Sequence, residues 1–166
     1  MTAALGAPPL LVANGPDAPS WRPDLRAVPD VRPGAGSLGG IYTAVLEAPA
    51  PVLCVAWDMP FIPVPLLELI AARLPGFDAV LPESGGPRGL EPLCAAYSPA
   101  CAGAIADSLA AGDFRAVSFH PRITLGIVPL ADVRRFGDPE LLFFNVNTAD
   151  DLARANDLWR RHGSSP

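Results

Sequence analysis

The chain alternates between short runs of consecutive apolar residues and longer segments in which apolar residues recur every three or four positions. Consecutive apolar residues are typical of buried strands, and the wider spacing is typical of amphipathic helices. We predict strands at residues 10–13, 25–28, 52–55, 78–81, 92–97, 123–130 and 141–146. The last helix is expected to begin at Thr148 and to bury Leu152, Ala155 and Trp159. This alternation predicts one α/β domain over residues 1–166, a three-layer sandwich.

The run at residues 52–55 ends close to a single carboxylate. It is apolar at every position, which predicts a buried parallel strand. Asp58 follows it, and Pro60 ends the segment. Open α/β sheets bind ligands beyond the carboxyl ends of their strands, whereas a polar residue there can also simply cap a turn. Asp58 is therefore either a ligand-binding residue or a turn residue, and the local pattern leaves both open.

Polar residues follow two other predicted strands. Asn14 and Asp30 come directly after apolar runs, and the Gly-rich segment 36–40 opens a helix. Glycines let a ligand approach the backbone, and a helix N-terminus offers free N–H groups. Mg²⁺ is held by one or two carboxylates together with substrate phosphates, so these residues fit a site for Mg²⁺ and a nucleotide. Asp30 can equally be a turn residue.

Two further polar sets are candidates for ligand binding. Asn145 and Asn147 lie at a predicted strand end, where their amides can bind a polar ligand or satisfy the local backbone, and we favour the backbone role. Arg88 lies on a Gly-rich loop, and a guanidinium pairs well with phosphate. His120 and His162 are isolated, and no serine or cysteine stands at a spacing that suggests a catalytic triad.

Composition narrows the class of protein. The net charge of −5 argues against nucleic acid as a partner, and no apolar run approaches the ~20 residues that span a membrane. Three cysteines without metal-ligand spacing indicate reduced thiols in a cytoplasmic protein. We expect small-molecule partners and either a monomer or a weak homo-oligomer. All twelve basic residues are arginine.

Several segments, in this order, resemble motifs of one enzyme family. Residues 36–41 (GSLGGI) resemble its G-P-L-A-G-I turn, and residues 56–61 (AWDMPF) resemble A-C-D-M-P-F with Trp57 in place of cysteine. Residues 91–93 resemble Q/H-P-L, residues 109–112 resemble L-x-x-G, and residues 144–152 resemble F-N-x-N-T-x-x-D-L. The chain therefore resembles the molybdenum cofactor guanylyltransferases, which are nucleotide-diphospho-sugar-transferase-like nucleotidyltransferases.

The resemblance implies a Rossmann-like, mostly parallel sheet and transfer of GMP from Mg-GTP to molybdopterin, with release of pyrophosphate. It implies that Asp58 is the catalytic residue that binds Mg²⁺. The implied nucleotide-binding residues are Asn14, Asp30, Gly36, Gly39, Gly40 and Asp58. The implied pterin-side residues are Arg88, Pro92, Asn145 and Asn147. A relative that uses CTP is the alternative, because these residues do not decide which base is bound.

The chain departs from the family at its beginning. The signature L-A-G-G-x-S-x-R-M-G-x-D-K is not found, and no lysine elsewhere can replace the one that contacts the phosphates. We therefore expect the first strand, the phosphate loop and the first helix to be missing from this chain. Three explanations are open. The start assigned at Met1 is too late, or the chain is a catalytically impaired copy or binding module that keeps the pterin-side half, or a partner supplies the missing part. Loss of the phosphate loop and its lysine would cost much of the catalysis, because the reaction depends on positioning the phosphates.

Overall fold

A computed structural model describes residues 8–86 and 89–162. The strands in these residues are β1 (Leu10–Val12), β2 (Arg26–Val28), β3 (Val52–Val55), β4 (Ala79–Pro82), β5 (Cys94–Tyr97) and β6 (Leu125–Val128). The helices are α1 (Ala18–Trp21), α2 (Gly36–Glu47), α3 (Val64–Ala72), α4 (Cys101–Ala110), α5 (Leu130–Val133), α6 (Pro139–Leu142) and α7 (Ala149–His162). None of the described helices is both long and apolar enough to cross a membrane.

The strands form two sheets of mixed pairing. β1 pairs with β2 in parallel, and the larger sheet has the order β3-β5-β4-β6. In that sheet β4 and β6 are parallel, while β5 runs antiparallel to both β3 and β4. The predicted α/β class is confirmed. The prediction of a buried parallel strand at 52–55 is wrong in its pairing and burial, because β3 is half-exposed at an edge of the described sheet and its partner there is antiparallel.

Helices cover both faces of the larger sheet. The side chains of β4 alternate, as the pleat of a strand requires, so Leu81 faces α2 and α4 while Val80 faces α3. One apolar cluster joins Leu38, Ile41, Ile105 and Leu109 to the first face, and the other joins Leu66, Leu67 and Ile70 to the second. The larger sheet therefore forms the central layer between two helical layers.

The C-terminal part differs from the predicted elements. The predicted strand at 141–146 is instead α6 followed by irregular chain. Asp138 starts this helix, since its carboxylate accepts a hydrogen bond from the Glu140 N–H at 3.0 Å and Pro139 occupies the first turn. In α7 only Ala155 of the three predicted core residues is buried. Leu152 and Trp159 are 53% and 59% exposed.

Helix α2 joins the two sheets. It packs against β1 and against β3, and these two strands are not hydrogen-bonded to each other in the described residues. Both strands are half-exposed although their residues are apolar. The packing of α2 therefore sets how the ends of the two sheets lie with respect to one another.

The core on the α2 side predicts a large difference between two apolar truncations. Ile105→Ala empties a fully buried position and should lower the free energy of unfolding by about 2–5 kcal/mol. Leu46→Ala removes a side chain that is nearly half-exposed on α2 and should cost much less. Urea denaturation followed by circular dichroism measures both, and equal losses would contradict this assignment of the core.

Candidate active site

Asn14 and Asp30 form a reciprocal pair at the ends of β1 and β2. The Asn14 amide nitrogen donates to Asp30 Oδ2 at 2.7 Å, and its Oδ1 accepts from the Asp30 N–H at 2.8 Å. The two parallel strands bring these residues together because their carboxyl ends lie at one edge. The pair fixes the orientation of the Asp30 carboxylate, which is the group able to accept further hydrogen bonds from a ligand.

The first turns of α2 lie against Asp30. A Cβ atom on Gly39 would stand 3.6 Å from Asp30 Oδ2, 3.0 Å from the Ala35 Cβ and 3.1 Å from the Arg32 carbonyl oxygen. A Cβ atom on Gly40 would stand 3.8 Å from Asp30 Oδ1. Gly36 begins the helix with a φ of +57°, a conformation that favours glycine. The predicted nucleotide-side residues around Asp30 are thus brought together.

Thr43 is a positioning residue that the sequence reasoning missed. Its buried hydroxyl donates to the Gly39 carbonyl at 2.8 Å and accepts from the Val31 N–H at 2.9 Å. These two bonds tie the loop after β2 to α2. The available signal was a single polar residue among the apolar positions of the α2 stripe.

Asp58 lies in the turn after β3 and connects to the other half of the site. Its backbone carbonyl accepts from the Val146 N–H at 2.9 Å, and the preceding Ala56 N–H donates to the Leu93 carbonyl at 2.8 Å. These bonds bring the segments containing Asn145, Asn147 and Pro92 to the end of β3. Two segments that are distant in the sequence therefore lie beside the turn that contains Asp58.

The Asp58 carboxylate fits a magnesium site in which substrate supplies the other ligands. It is half-buried and accepts no hydrogen bond from the described residues. Those residues also contain no group of three or more metal-binding side chains. Because Mg²⁺ commonly uses one or two carboxylates together with phosphate oxygens and water, the single carboxylate suffices for that kind of site.

The segment with the two asparagines is held mainly by local bonds. The Asn145 amide donates to the Phe143 carbonyl at 3.4 Å, as the backbone alternative proposed. Thr148 and Asp151 form the predicted capping box, in which Asp151 accepts from the Thr148 hydroxyl at 2.8 Å and Thr148 accepts from the Asp151 N–H at 3.1 Å. The hydroxyl bond lowers the pKa of the Asp151 carboxyl below its usual value. The cap fixes where α7 begins, next to Asn147.

The remaining predicted residues lie beside a polar cavity or outside the described part of the chain. The Pro92 carbonyl accepts from the Tyr97 hydroxyl at 2.7 Å, which holds the turn before β5. Next to it, Glu91, Ser84, Arg134 and Phe143 line a cavity of about 260 Å³. Arg88 lies outside the described residues.

A pair of stacked tryptophans connects the two halves of the candidate site. The Trp21 ring lies against Gly15, directly after Asn14, since a Cβ atom on Gly15 would be 3.5 Å from it. Trp21 stacks on Trp57 with ring centroids 5.5 Å apart and an interplanar angle of 13°. Trp57 precedes Asp58 in the chain. No residue spacing predicts this contact, because it depends on how α1 and the end of β3 meet.

The thiols and His120 are poorly suited to covalent chemistry. Burial raises the pKa of Cys54 and Cys94 to about 12, and that of Cys101 to about 11, so the reactive thiolates are scarce at neutral pH. Burial also lowers the pKa of His120, whose Nε2 has no partner in the described residues. The groups gathered at the strand ends can bind and orient ligands, and none is an activated nucleophile.

A model of the MobA-like NTP transferase domain matches residues 2–122. The chain belongs to this family. The MobA-like match covers both strands of the smaller sheet and three of the four strands of the larger one, since β6 begins at Leu125, after the match ends.

Similar proteins match more of the chain than the family model does. The chain is 37% identical over 88% of its length to a probable molybdenum cofactor guanylyltransferase of Pelotomaculum thermopropionicum, covering 71% of that protein. It is 32% identical over 91% of its length to a molybdenum cofactor guanylyltransferase of Bradyrhizobium, covering 73%. Among solved structures, molybdopterin-guanine dinucleotide biosynthesis protein A of Archaeoglobus fulgidus matches 92% of this chain and 78% of its own, with a TM-score of 0.77 and 27% identity.

The contacts of Gly39 predict that this MobA-like chain tolerates side chains unequally at two helical glycines. Gly39→Val would press a branched side chain against Ala35 and Arg32 and should cost about 1–3 kcal/mol of stability. Gly103→Val, in α4, meets nothing within 4 Å and should change stability by less than about 0.5 kcal/mol. Urea denaturation of the two variants measures the difference, and equal stability would show that α2 does not pack as described.

Proposed function

We propose that the protein transfers GMP from Mg-GTP to molybdopterin and thereby makes a molybdenum guanine dinucleotide cofactor. The observation that carries the proposal is the position of Asp58. Its carboxylate accepts no hydrogen bond from the described residues. Its backbone carbonyl accepts one from the N–H of Val146, which stands between Asn145 and Asn147 in the sequence. This arrangement stands in a chain whose relatives carry the name guanylyltransferase.

The proposed roles follow the two halves of the site. Asn14 and Asp30, with Gly36, Gly39 and Gly40, position the nucleotide. Asp58 holds Mg²⁺, which when bound neutralises phosphate charge and orients the reacting oxygens. Asn145, Asn147, Pro92 and Arg88 position the acceptor. In this proposal the metal at Asp58 is where the acceptor phosphate and the nucleotide meet.

The reaction needs no covalent intermediate on the protein. A phosphate oxygen of the acceptor forms a bond to the α-phosphorus of GTP, and the bond from that phosphorus to the β-phosphate oxygen breaks. Pyrophosphate leaves with the electron pair of the broken bond. Catalysis then rests on positioning and on stabilising charge, which agrees with the raised pKa values of the three thiols.

We further propose that groups contacting the triphosphate come from outside the described residues. The 166 residues include no lysine, and the apolar strands β1 and β3 each have an edge without a strand partner in the described residues. Apolar strand edges are normally covered in folded proteins. The same observation favours a second candidate function, a binding module that holds its ligands without transferring GMP.

Asp58→Asn tests the proposed metal ligand. Removing the charge should lower transfer of GMP by about 100-fold or more, because metal stabilisation of charge is worth several kcal/mol. It should also remove the dependence of GTP binding on Mg²⁺ in calorimetry. Asp150→Asn, an exposed carboxylate in the first turn of α7, is the matched control and should leave both unchanged.

The wild-type chain decides between the two functions. The chain is incubated with Mg²⁺, GTP and molybdopterin. Formation of the dinucleotide supports the enzyme, and binding of GTP without formation of product supports the binding module. CTP in place of GTP tests the choice of base. Failure to bind either nucleotide would contradict both functions.

A further inference from the structure

The three tryptophans of the chain gather around one place. Trp57 is 84% exposed although it stacks on Trp21, so that contact covers only part of its ring. Trp57 and Trp159 both line a cleft of about 450 Å³ next to Asp58. Contiguous exposed apolar patches of this kind mark binding sites for ligands or partners.

The wall of the cleft opposite β3 is also aromatic. Phe61 lies beside Trp159 with ring centroids 6.4 Å apart and an interplanar angle of 26°. Leu152 of α7 completes the apolar lining, and more than half of its surface is exposed. The side chains that the sequence predicted to be core thus line an open cleft instead.

Besides the indole N–H groups of the two tryptophans, two polar side chains stand in this lining. Asp58 contributes a carboxylate and Asn156 an amide, while Val146 is apolar. Aromatic walls with a few polar groups favour a flat, rigid ligand with hydrogen-bonding edges, and the volume is within the usual range for small-molecule sites.

We propose that the cleft binds a planar two-ring nitrogen heterocycle, which stacks on Trp57 and packs against Trp159. This inference rests on the proposed function, since both substrates named there carry such a ring, the guanine of GTP and the pterin of the acceptor. Trp57 and Trp159 are then positioning residues that hold the ring while its phosphate lies near Asp58. Trp57 replaces the cysteine of the motif that residues 56–61 resemble, so the stacking surface is a feature of this chain.

The cleft favours a small molecule over a protein surface because it is concave and carries the unpaired Asp58 carboxylate at its wall. A second copy of the chain would have to bury that carboxylate or provide it with a cation. The test therefore includes the oligomeric state.

Calorimetry on the 166-residue chain tests the stacking. The ligands are GMP, 6-hydroxymethylpterin and ribose 5-phosphate, which lacks the two-ring system. Trp57→Ala should weaken binding of the ring ligand by about tenfold, as expected for loss of one stacked aromatic. Trp57→Phe should stay within about threefold of wild type, and Trp159→Ala should also weaken binding. Binding of ribose 5-phosphate should be unaffected by all three substitutions.

The control is Phe114→Ala, since Phe114 is 46% exposed and does not line the cleft. It should bind like wild type, and circular dichroism checks that every variant is folded. If Trp57→Ala weakens binding of GMP, the ring in the cleft is guanine, and if it weakens binding of 6-hydroxymethylpterin, the ring is a pterin. Ring binding that is indifferent to both tryptophan variants would overturn the proposal, as would a dimer in sedimentation that Trp57→Ala dissociates.

The two proposals fail separately. If ring binding depends on Trp57 but no GMP is transferred, the cleft stands and the enzymatic function does not. If GMP is transferred while Trp57→Ala binds both ring ligands normally, the function stands and the stacking site does not.

Discussion

The packing of α2 against both sheets is the contact on which the rest of the site depends. β1 and β3 are not hydrogen-bonded to each other in the described residues, so backbone pairing does not fix their relative position. Leu38, Ile41 and Val45 anchor α2 on the larger sheet, while Thr43 ties its first turns to the loop after β2. The helix thereby carries Asp30 and the glycines to the edge where Asp58 lies.

This dependence explains why the site is divided. The residues proposed to bind the nucleotide form a cluster through the Asn14–Asp30 pair. Those proposed to bind the acceptor form another through the hydrogen bond from the Val146 N–H to the Asp58 carbonyl. Among the described residues, the two clusters are connected by the stacked rings of Trp21, in the helix after β1, and Trp57, shortly after β3. A helix and one exposed stack make a weaker connection than a shared sheet, so ligands that touch both clusters should also stabilise their arrangement.

The ends of the strands could be predicted well from the sequence, whereas the structure of the last quarter of the chain could not. The positions of Asn14, Asp30 and Asp58 at strand ends were predictable because each follows a short apolar run, and β1, β2 and β3 end just before them. The prediction of a strand at residues 141–146 fails because four apolar residues in a row fit either a strand or a helix. Asp138 and Pro139 start a helix there instead. The exposure of Leu152 and Trp159 could not be predicted, since periodicity shows that a helix has an apolar face but not what lies against it. The Trp21–Trp57 stack depends on a contact between distant segments, for which one sequence has no signal. Thr43 did leave a signal, as the one polar residue in the apolar stripe of α2, but its partner Val31 could not be read from it.

The central claim is that both clusters surround one metal–nucleotide complex at Asp58. NMR with Mn²⁺ replacing Mg²⁺ in the GTP complex tests it directly, because the paramagnetic ion broadens the signals of nearby backbone amides. The account predicts strong broadening of the amides of Asp58, Gly40 and Asn147 together, and loss of all three effects in Asp58→Asn. Broadening confined to one cluster, or broadening that persists without the Asp58 carboxylate, would contradict it.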